Sequence, residues 1–283
     1  MNFDDLFVLS QHLVPQHTVT RAAGLLAKSE IPAVKNLIIS RFIQQYGVNM
    51  AEAARENAED YDSFNDFFTR ELKPDARIID NSPNSLVSPV DGAFSQIGDI
   101  EQGKIFQAKG HSFSLADLLG GTRTDTRPFQ DGKFTTIYLS PKDYHRIHMP
   151  ITGTLREMIY IPGKLYSVNP ITTQNVPNLF ARNERVVTLF DTDIGPMALV
   201  LVGAMIVASV ATVWAGTIAP GNQISHKRYE GREAVTLQKG EEMGRFLLGS
   251  TVVLAFGKGR INWETKIRPE QEVRLGEKIG SLL

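Results

Sequence analysis

The chain has no cysteine. That removes disulfides, thiolate nucleophiles and cysteine metal ligands, and it leaves the redox compartment open. It also lacks charge of one dominant sign: 30 Lys and Arg face 31 Asp and Glu, a net charge of −1. Nothing in bulk draws such a chain to nucleic acid or to an anionic bilayer, and no nucleic-acid partner is expected. No basic region precedes the short apolar run Leu6 to Leu9, so no signal peptide is expected. Long uncharged runs are scarce as well, the exception being residues 197–220. Its length would cross a bilayer. Gly203, Thr212, Gly216 and Thr217 interrupt it, however, and Val and Ile abound. Two buried strands, roughly 198–209 and 212–218, are expected instead. Internal repeats and low-complexity tracts are also missing.

What is present is an ordinary globular composition, 42% hydrophobic and 22% charged over 283 residues. That length suits one large domain or two small ones. The 23 glycines and 14 prolines fall in many short clusters and imply frequent turns, hence a β-rich body. Helices are expected at 18–28 and 33–46. In the second, Val34, Leu37, Ile38, Ile39, Phe42 and Ile43 form one broad apolar face, with Lys35, Arg41, Gln44 and Gln45 largely away from it. That face fits a membrane interface or a core. Residues 47–75 continue helical and polar up to Pro74, with Phe64, Phe67 and Phe68 read as core. From about 78 onward short alternating stretches predict strands, among them Phe134 to Leu139, Thr154 to Ile161, Val186 to Asp191 and Thr251 to Phe256. Ala116 to Leu119 reads as a helical turn. The expected class is α+β: an N-terminal helical segment, 1–75, followed by a mostly antiparallel β body, 76–283.

Chemistry first shows at Leu248-Gly249-Ser250-Thr251. A Gly-Ser pair puts a hydroxyl one bond from its own preceding carbonyl, and glycine adds no Cβ to obstruct attack. Attack by Ser250 Oγ on the Gly249 carbonyl would give an ester by N→O acyl shift. Elimination and hydrolysis would then leave a pyruvoyl group at the new N-terminus, an electron sink comparable to pyridoxal phosphate. The tetrapeptide by itself also fits a strand-end turn.

Two further clusters accompany it. Tyr144-His145-Arg146-Ile147-His148-Met149-Pro150 carries two of only six histidines, expected just past the end of the strand before it. Ser88-Pro89-Val90-Asp91-Gly92 is a turn that presents a carboxylate. Asp91, His148 and Ser250 could form a charge relay in which Asp91 orients the imidazole and His148 takes the serine proton. The histidines could also be a metal pair, but two ligands without Cys or an acidic cluster make a poor site, and no metal is expected.

Together these motifs resemble the bacterial phosphatidylserine decarboxylases, pyruvoyl enzymes made as self-cleaving proenzymes. The resemblance also rests on Phe64-Asn65-Asp66-Phe67-Phe68-Thr69-Arg70-Glu71-Leu72-Lys73-Pro74, on Gln174 to Arg185 and on Val213-Trp214-Ala215-Gly216, and it covers nearly the whole chain. It implies cleavage between Gly249 and Ser250 into a large chain (1–249) and a small one (250–283). It implies Asp91, His148 and Ser250 as the self-cleavage relay, and Ser250 as the source of the pyruvoyl that forms a Schiff base with substrate. His145 is implied as the acid in decarboxylation. Phosphatidylserine becomes phosphatidylethanolamine, with no metal. Ser167 is a candidate for the substrate phosphate or carboxylate, or a turn-capping hydroxyl. The resemblance further suggests a homodimer, peripheral on the cytoplasmic face of the bacterial inner membrane. Two other classes stay open on the residues alone. One is a serine hydrolase using the same triad, although the chain lacks a Gly-x-Ser-x-Gly elbow at Ser250. The other is a membrane-binding module built on the 33–46 helix.

Overall fold

The computed structural model describes residues 8–9, 11, 14, 16–121, 124–204, 210–247 and 250–283. The expected scissile pair's Leu248 and Gly249 lie outside them, as does the end of the expected 198–209 strand. Two helices open the described chain, Gln16–Ala27 and Pro32–Tyr46. The second begins on Pro32, whose fixed φ suits a first helical turn, and ends at Gly47 in the left-handed region (φ 65°). Much of its apolar face docks inward. Ile39 is fully buried, and the Phe42 ring lies 5.0 Å from that of Phe64 and 5.9 Å from that of Phe68. Lys35, expected to lie away from that face, is buried, with its Nζ donating to the Glu59 carbonyl at 3.1 Å.

Residues 47–75 are not the helix expected. They contain two 3-10 turns, Met50–Glu52 and Ala58–Asp60, and one short helix, Phe64–Phe68. Capping side chains explain the difference. Asn49 accepts from the Ala51 N–H, Asn57 and Asp60 form a capping box, and Ser63 accepts from the Asp66 N–H. Each cap restarts the chain before a second turn can form. The segment then pairs with itself, Ala54 N–H donating to Glu71 O at 2.8 Å and Lys73 N–H to Glu52 O at 2.9 Å. Phe64, Phe67 and Phe68 form a core with Tyr61 and Ile39, as their spacing predicts.

The body is β, and the strand pairs among the described residues are antiparallel, with one isolated parallel bridge between Lys164 and Asn183. Its main sheet runs Ser225–Arg228, Gly153–Ile161, Arg185–Thr192, Gly195–Val202, Ser250–Phe256, Lys133–Leu139, Gly92–Asp99, Glu272–Val273. Side chains alternate between two cores. Val252, Leu254 and Phe256 enter one, together with Ile137, Leu139, Leu199 and Leu201. Val253 and Ala255 enter the other, with Phe134, Val187, Val200 and Val202. Burial on both faces is why Ser250–Phe256 and Gly195–Val202 read as continuous apolar runs. The uncharged 197–220 stretch accordingly enters a sheet. Its second part is shorter than expected, Val210–Thr212 and Gly216–Thr217 around an exposed Val213. No helix among the described residues is long and apolar enough to cross a membrane.

Candidate active site

Register brings the expected residues to one end of the main sheet. Ser250 opens its strand opposite Leu139, and on the other side Thr251 faces Val202. Ala93 pairs with Tyr138, so Asp91 and Gly92 enter beside Leu139 and Ser140. Gly92 is required there, because a Cβ would meet the Tyr138 carbonyl oxygen at 2.3 Å. The chain leaves Leu139, turns through Ser140–Tyr144 and re-enters a short strand, Arg146–His148. Both histidines thus lie past the end of Lys133–Leu139, as expected, His148 within the next short strand and His145 directly before it.

This histidine strand pairs with Glu242–Phe246. His148 faces Glu242, whereas the Phe246 N–H donates to His145 O at 3.0 Å. Phe246 is the end that continues through Leu247 toward Ser250; Glu242 is the other. Facing differs too. Ile147 and Met149 point into the core that receives Leu139 and Val252. Within the strand Arg146 and His148 point the opposite way, and His145, just before it, packs on the Phe68 ring of the helical core.

The environments match these positions. Ser250 and His145 are both fully buried, and Ser250 Oγ and His145 Nε2 have no hydrogen-bond partner among the described residues. Ser140 Oγ and Thr251 Oγ1, at the same sheet end, are also unpartnered. Orphaned buried polar atoms are uncommon in native proteins, and a cluster of them marks a site. His145 donates from Nδ1 to the Asp143 carbonyl at 2.8 Å and packs 4.0 Å from the Phe68 ring. Burial first, with help from the Arg70 charge, pushes its pKa down to about 3, against the Asp143 hydrogen bond. At neutral pH it is thus an uncharged ring whose Nε2 can accept a proton.

The expected Asp91–His148 hydrogen bond is not formed. His148 bonds through Nδ1 to the Gly240 carbonyl at 2.8 Å and through Nε2 to the Tyr144 hydroxyl at 3.3 Å. Asp91 is buried and held by Arg77, whose Nε reaches Oδ1 at 2.8 Å and whose Nη2 bonds Oδ2, and by the Leu275 N–H at 2.8 Å. Burial lowers the His148 pKa, while the Gly240 bond and the charges of Glu242 and Asp91 resist. Ser167 accepts the Asn169 N–H at 3.5 Å, the turn-capping arrangement.

Two cavities flank this end of the sheet. One of about 450 Å³ is lined by Tyr138, Ser140, Lys142, Asp143, Val168 and Pro170 among others. The other, about 310 Å³, is lined by residues including Arg70, Arg77, Asp91, Asp143 and Tyr144. Asp143 borders both. Burial raises its carboxyl pKa against the pull of the Ser140 N–H, with Asp91 adding to the rise. Sequence reasoning missed Asp143 and Arg70, although the first stands two residues before His145 and the second lies inside the Phe64–Pro74 motif.

A family model described as phosphatidylserine decarboxylase matches residues 64–281, and one described as PSD matches residues 6–47. The chain is similar to proteins named phosphatidylserine decarboxylase proenzyme from three bacteria. It is 61% identical to that of Hahella chejuensis over 281 residues, which is 99% of this chain and 95% of the relative. It is 60% identical to that of Marinobacter nauticus over 281 residues, 99% and 98% of the two chains. With that of Bordetella avium it shares 57% identity over 278 residues, 98% and 95%.

Proposed function

This chain belongs to the phosphatidylserine decarboxylase family, and we propose that it cuts itself at Gly249–Ser250 and then decarboxylates phosphatidylserine to phosphatidylethanolamine. The observation that carries this is the Ser250 hydroxyl, buried and unpartnered, at the start of the strand that follows Gly249. Ser250 Oγ attacks the Gly249 carbonyl carbon, and the Gly249–Ser250 amide bond breaks as the ester forms. The hydroxyl proton passes through an imidazole to the freed amine. Loss of the Ser250 α-proton expels the Gly249 carboxylate, and water then replaces the nitrogen, releasing ammonia and leaving a pyruvoyl group. That ketone supplies an electron sink for the substrate amine it binds. The surroundings fit it, because Ser250 Oγ, Thr251 Oγ1 and Ser140 Oγ are buried polar atoms without a hydrogen bond among the described residues.

Asp91, His148 and Ser250 are the proposed self-cleavage set, with His145 reserved for decarboxylation. The substrate amine arrives as an ammonium and must shed a proton to react. That proton resides on His145 Nε2 only transiently, since burial disfavours the charged ring, and the imidazolium so formed is a strong acid that protonates the α-carbon after carbon dioxide leaves. Ser167 is the proposed contact for the headgroup phosphate or carboxylate, at the cavity edge through its neighbours Val168 and Pro170. One observation favours a second assignment: His145 Nε2, like Ser250 Oγ, is buried without a hydrogen bond among the described residues, whereas both ring nitrogens of His148 are bonded, which suits His145 as the base in self-cleavage. Residues 1–75 act as the membrane-associating part and 76–283 as the catalytic part, peripheral on the cytoplasmic face of the inner membrane, in a homodimer.

Denaturing gels with intact-mass analysis test the reading. The purified protein is expected as two chains, the smaller comprising residues 250–283 with a blocked N-terminus. Ser250→Ala should remain one 31.4 kDa chain without activity. Active enzyme of that full mass overturns self-cleavage. His148→Ala uncut beside His145→Ala cut but inactive supports the first assignment of the histidines; the converse supports the second.

A further inference from the structure

Arg70 follows the short helix Phe64–Phe68 and is 3% exposed. Its Nη2 donates to the Lys142 carbonyl at 2.9 Å and to the Asp143 carbonyl at 3.3 Å. Nε and Nη1 have no partner among the described residues, and the guanidinium lies over the Phe67 ring, 5.6 Å from its centroid. A buried cation with so few hydrogen bonds is costly. Chains break such rules chiefly at functional sites. What Nη2 holds is therefore informative. The Asp143 carbonyl oxygen is also the acceptor of the His145 Nδ1–H, at 2.8 Å. A carbonyl has two lone pairs, and here one serves the guanidinium and the other the imidazole.

We propose that Arg70 is a positioning residue for His145: by clamping the Lys142 and Asp143 carbonyls it fixes the imidazole tautomer, with the proton on Nδ1 and Nε2 left as the free acceptor. This rests on the functional reading of His145 given above. Phe68, two residues earlier, sets the plane of the same ring from 4.0 Å. The neighbouring charges are otherwise engaged. The Asp143 carboxylate takes the Ser140 N–H at 2.7 Å, and Lys142 pairs with Glu272 at 3.2 Å. Arg70 is the charged group whose field opposes protonation of His145. Lysine is no equal substitute, since its ammonium sits on a flexible stem, whereas the planar guanidinium over the Phe67 ring holds Nη2 in one direction between the two carbonyls.

The test uses full-length protein with ¹⁵N-labelled histidine on the uncut Ser250→Ala background, compared with Arg70→Met and Arg70→Lys. The parent should show His145 protonated on Nδ1 and not titrating down to about pH 4. In Arg70→Met its titration should move up, and the Nδ1 preference should weaken, with Arg70→Lys in between. With Ser250 restored, the imidazole-dependent step should slow by roughly 10²-fold in Arg70→Met, the scale of a misplaced catalytic group. If Arg70→Met misfolds, Arg70→Lys carries the comparison. An unchanged His145 signal and titration in a folded Arg70 variant overturns the proposal. If instead the signal moves but His145→Ala cuts and decarboxylates at the parental rate, the clamp stands and the functional reading of His145 falls.

Discussion

A buried neutral histidine has a cost that depends on pH. The unfolded His145 takes a proton near pH 6.5, but the folded one is held down to about 3 by burial. Below pH 6.5 the unfolded state therefore binds more protons, so stability is full above that pH and falls as pH drops toward the folded value. One such group contributes a slope of about 1.4 kcal/mol per pH unit. His148, whose pKa is also lowered, adds to the same trend. Urea midpoints of uncut Ser250→Ala at pH 7 and 5 should differ in this direction, and adding His145→Gln should flatten the slope by about one proton. An equal slope in both would mean that His145 is not kept neutral. The sequence revealed the chemistry of these residues but not their facing. Asp91, both histidines and Ser250 were each legible as motifs. Which imidazole is left with an unbonded nitrogen depends on where the strand after Ser140–Tyr144 restarts, and the sequence carries no signal for that beyond Pro141. Arg70 escaped because a lone basic residue among phenylalanines reads as solvated surface.

At the scale of elements, helices were legible where one face was apolar and caps were distant, as at Pro32–Tyr46. They were illegible at 47–75, where Asn49, Asn57 and Ser63 each restart the backbone. The structure also divides the apolar surface of the first two helices. Ile39 and Phe42 serve the core, whereas Leu25, Leu26, Ile31 and Leu37 are 76%, 52%, 61% and 60% exposed. These four are the proposed contact with the bilayer, and they make a cleaner test than truncation. Deleting residues 1–46 would also remove Ile39 and Phe42 and uncover Phe64 and Phe68, which carries the damage to His145 through the Phe68 ring. Leu25→Ser with Leu37→Ser should leave thermal stability almost unchanged, since neither side chain is buried. Sedimentation with lipid vesicles should weaken about tenfold or more, given roughly 1.5–3 kcal/mol for each fully buried leucine. Unaltered sedimentation would assign bilayer contact to another surface.

At the scale of the whole molecule, self-cleavage cuts a chain whose last segment is its most deeply embedded. Ser250–Phe256 has all seven residues buried and lies between Gly195–Val202 and Lys133–Leu139, bonded to both. The later strands are tied as widely: Glu272–Val273 to Gly92–Asp99, and Lys278–Leu282 to Ser85–Val87. A central strand cannot leave without breaking two ladders and exposing Val252 to Phe256 on both faces. Burial of side chains such as Val252, Leu254 and Phe256 is worth roughly 1.5–3 kcal/mol each. The piece beginning at Ser250 should therefore stay with the larger chain after cleavage. Native size exclusion should elute both together at the size of the uncut Ser250→Ala protein, and only denaturant should part them. Urea that parts the pieces should also abolish the native circular dichroism of the large chain in the same transition, because removing the strand opens the sheet at its centre. Release of the small piece under native conditions, with the large one still folded, would contradict the interlocked sheet.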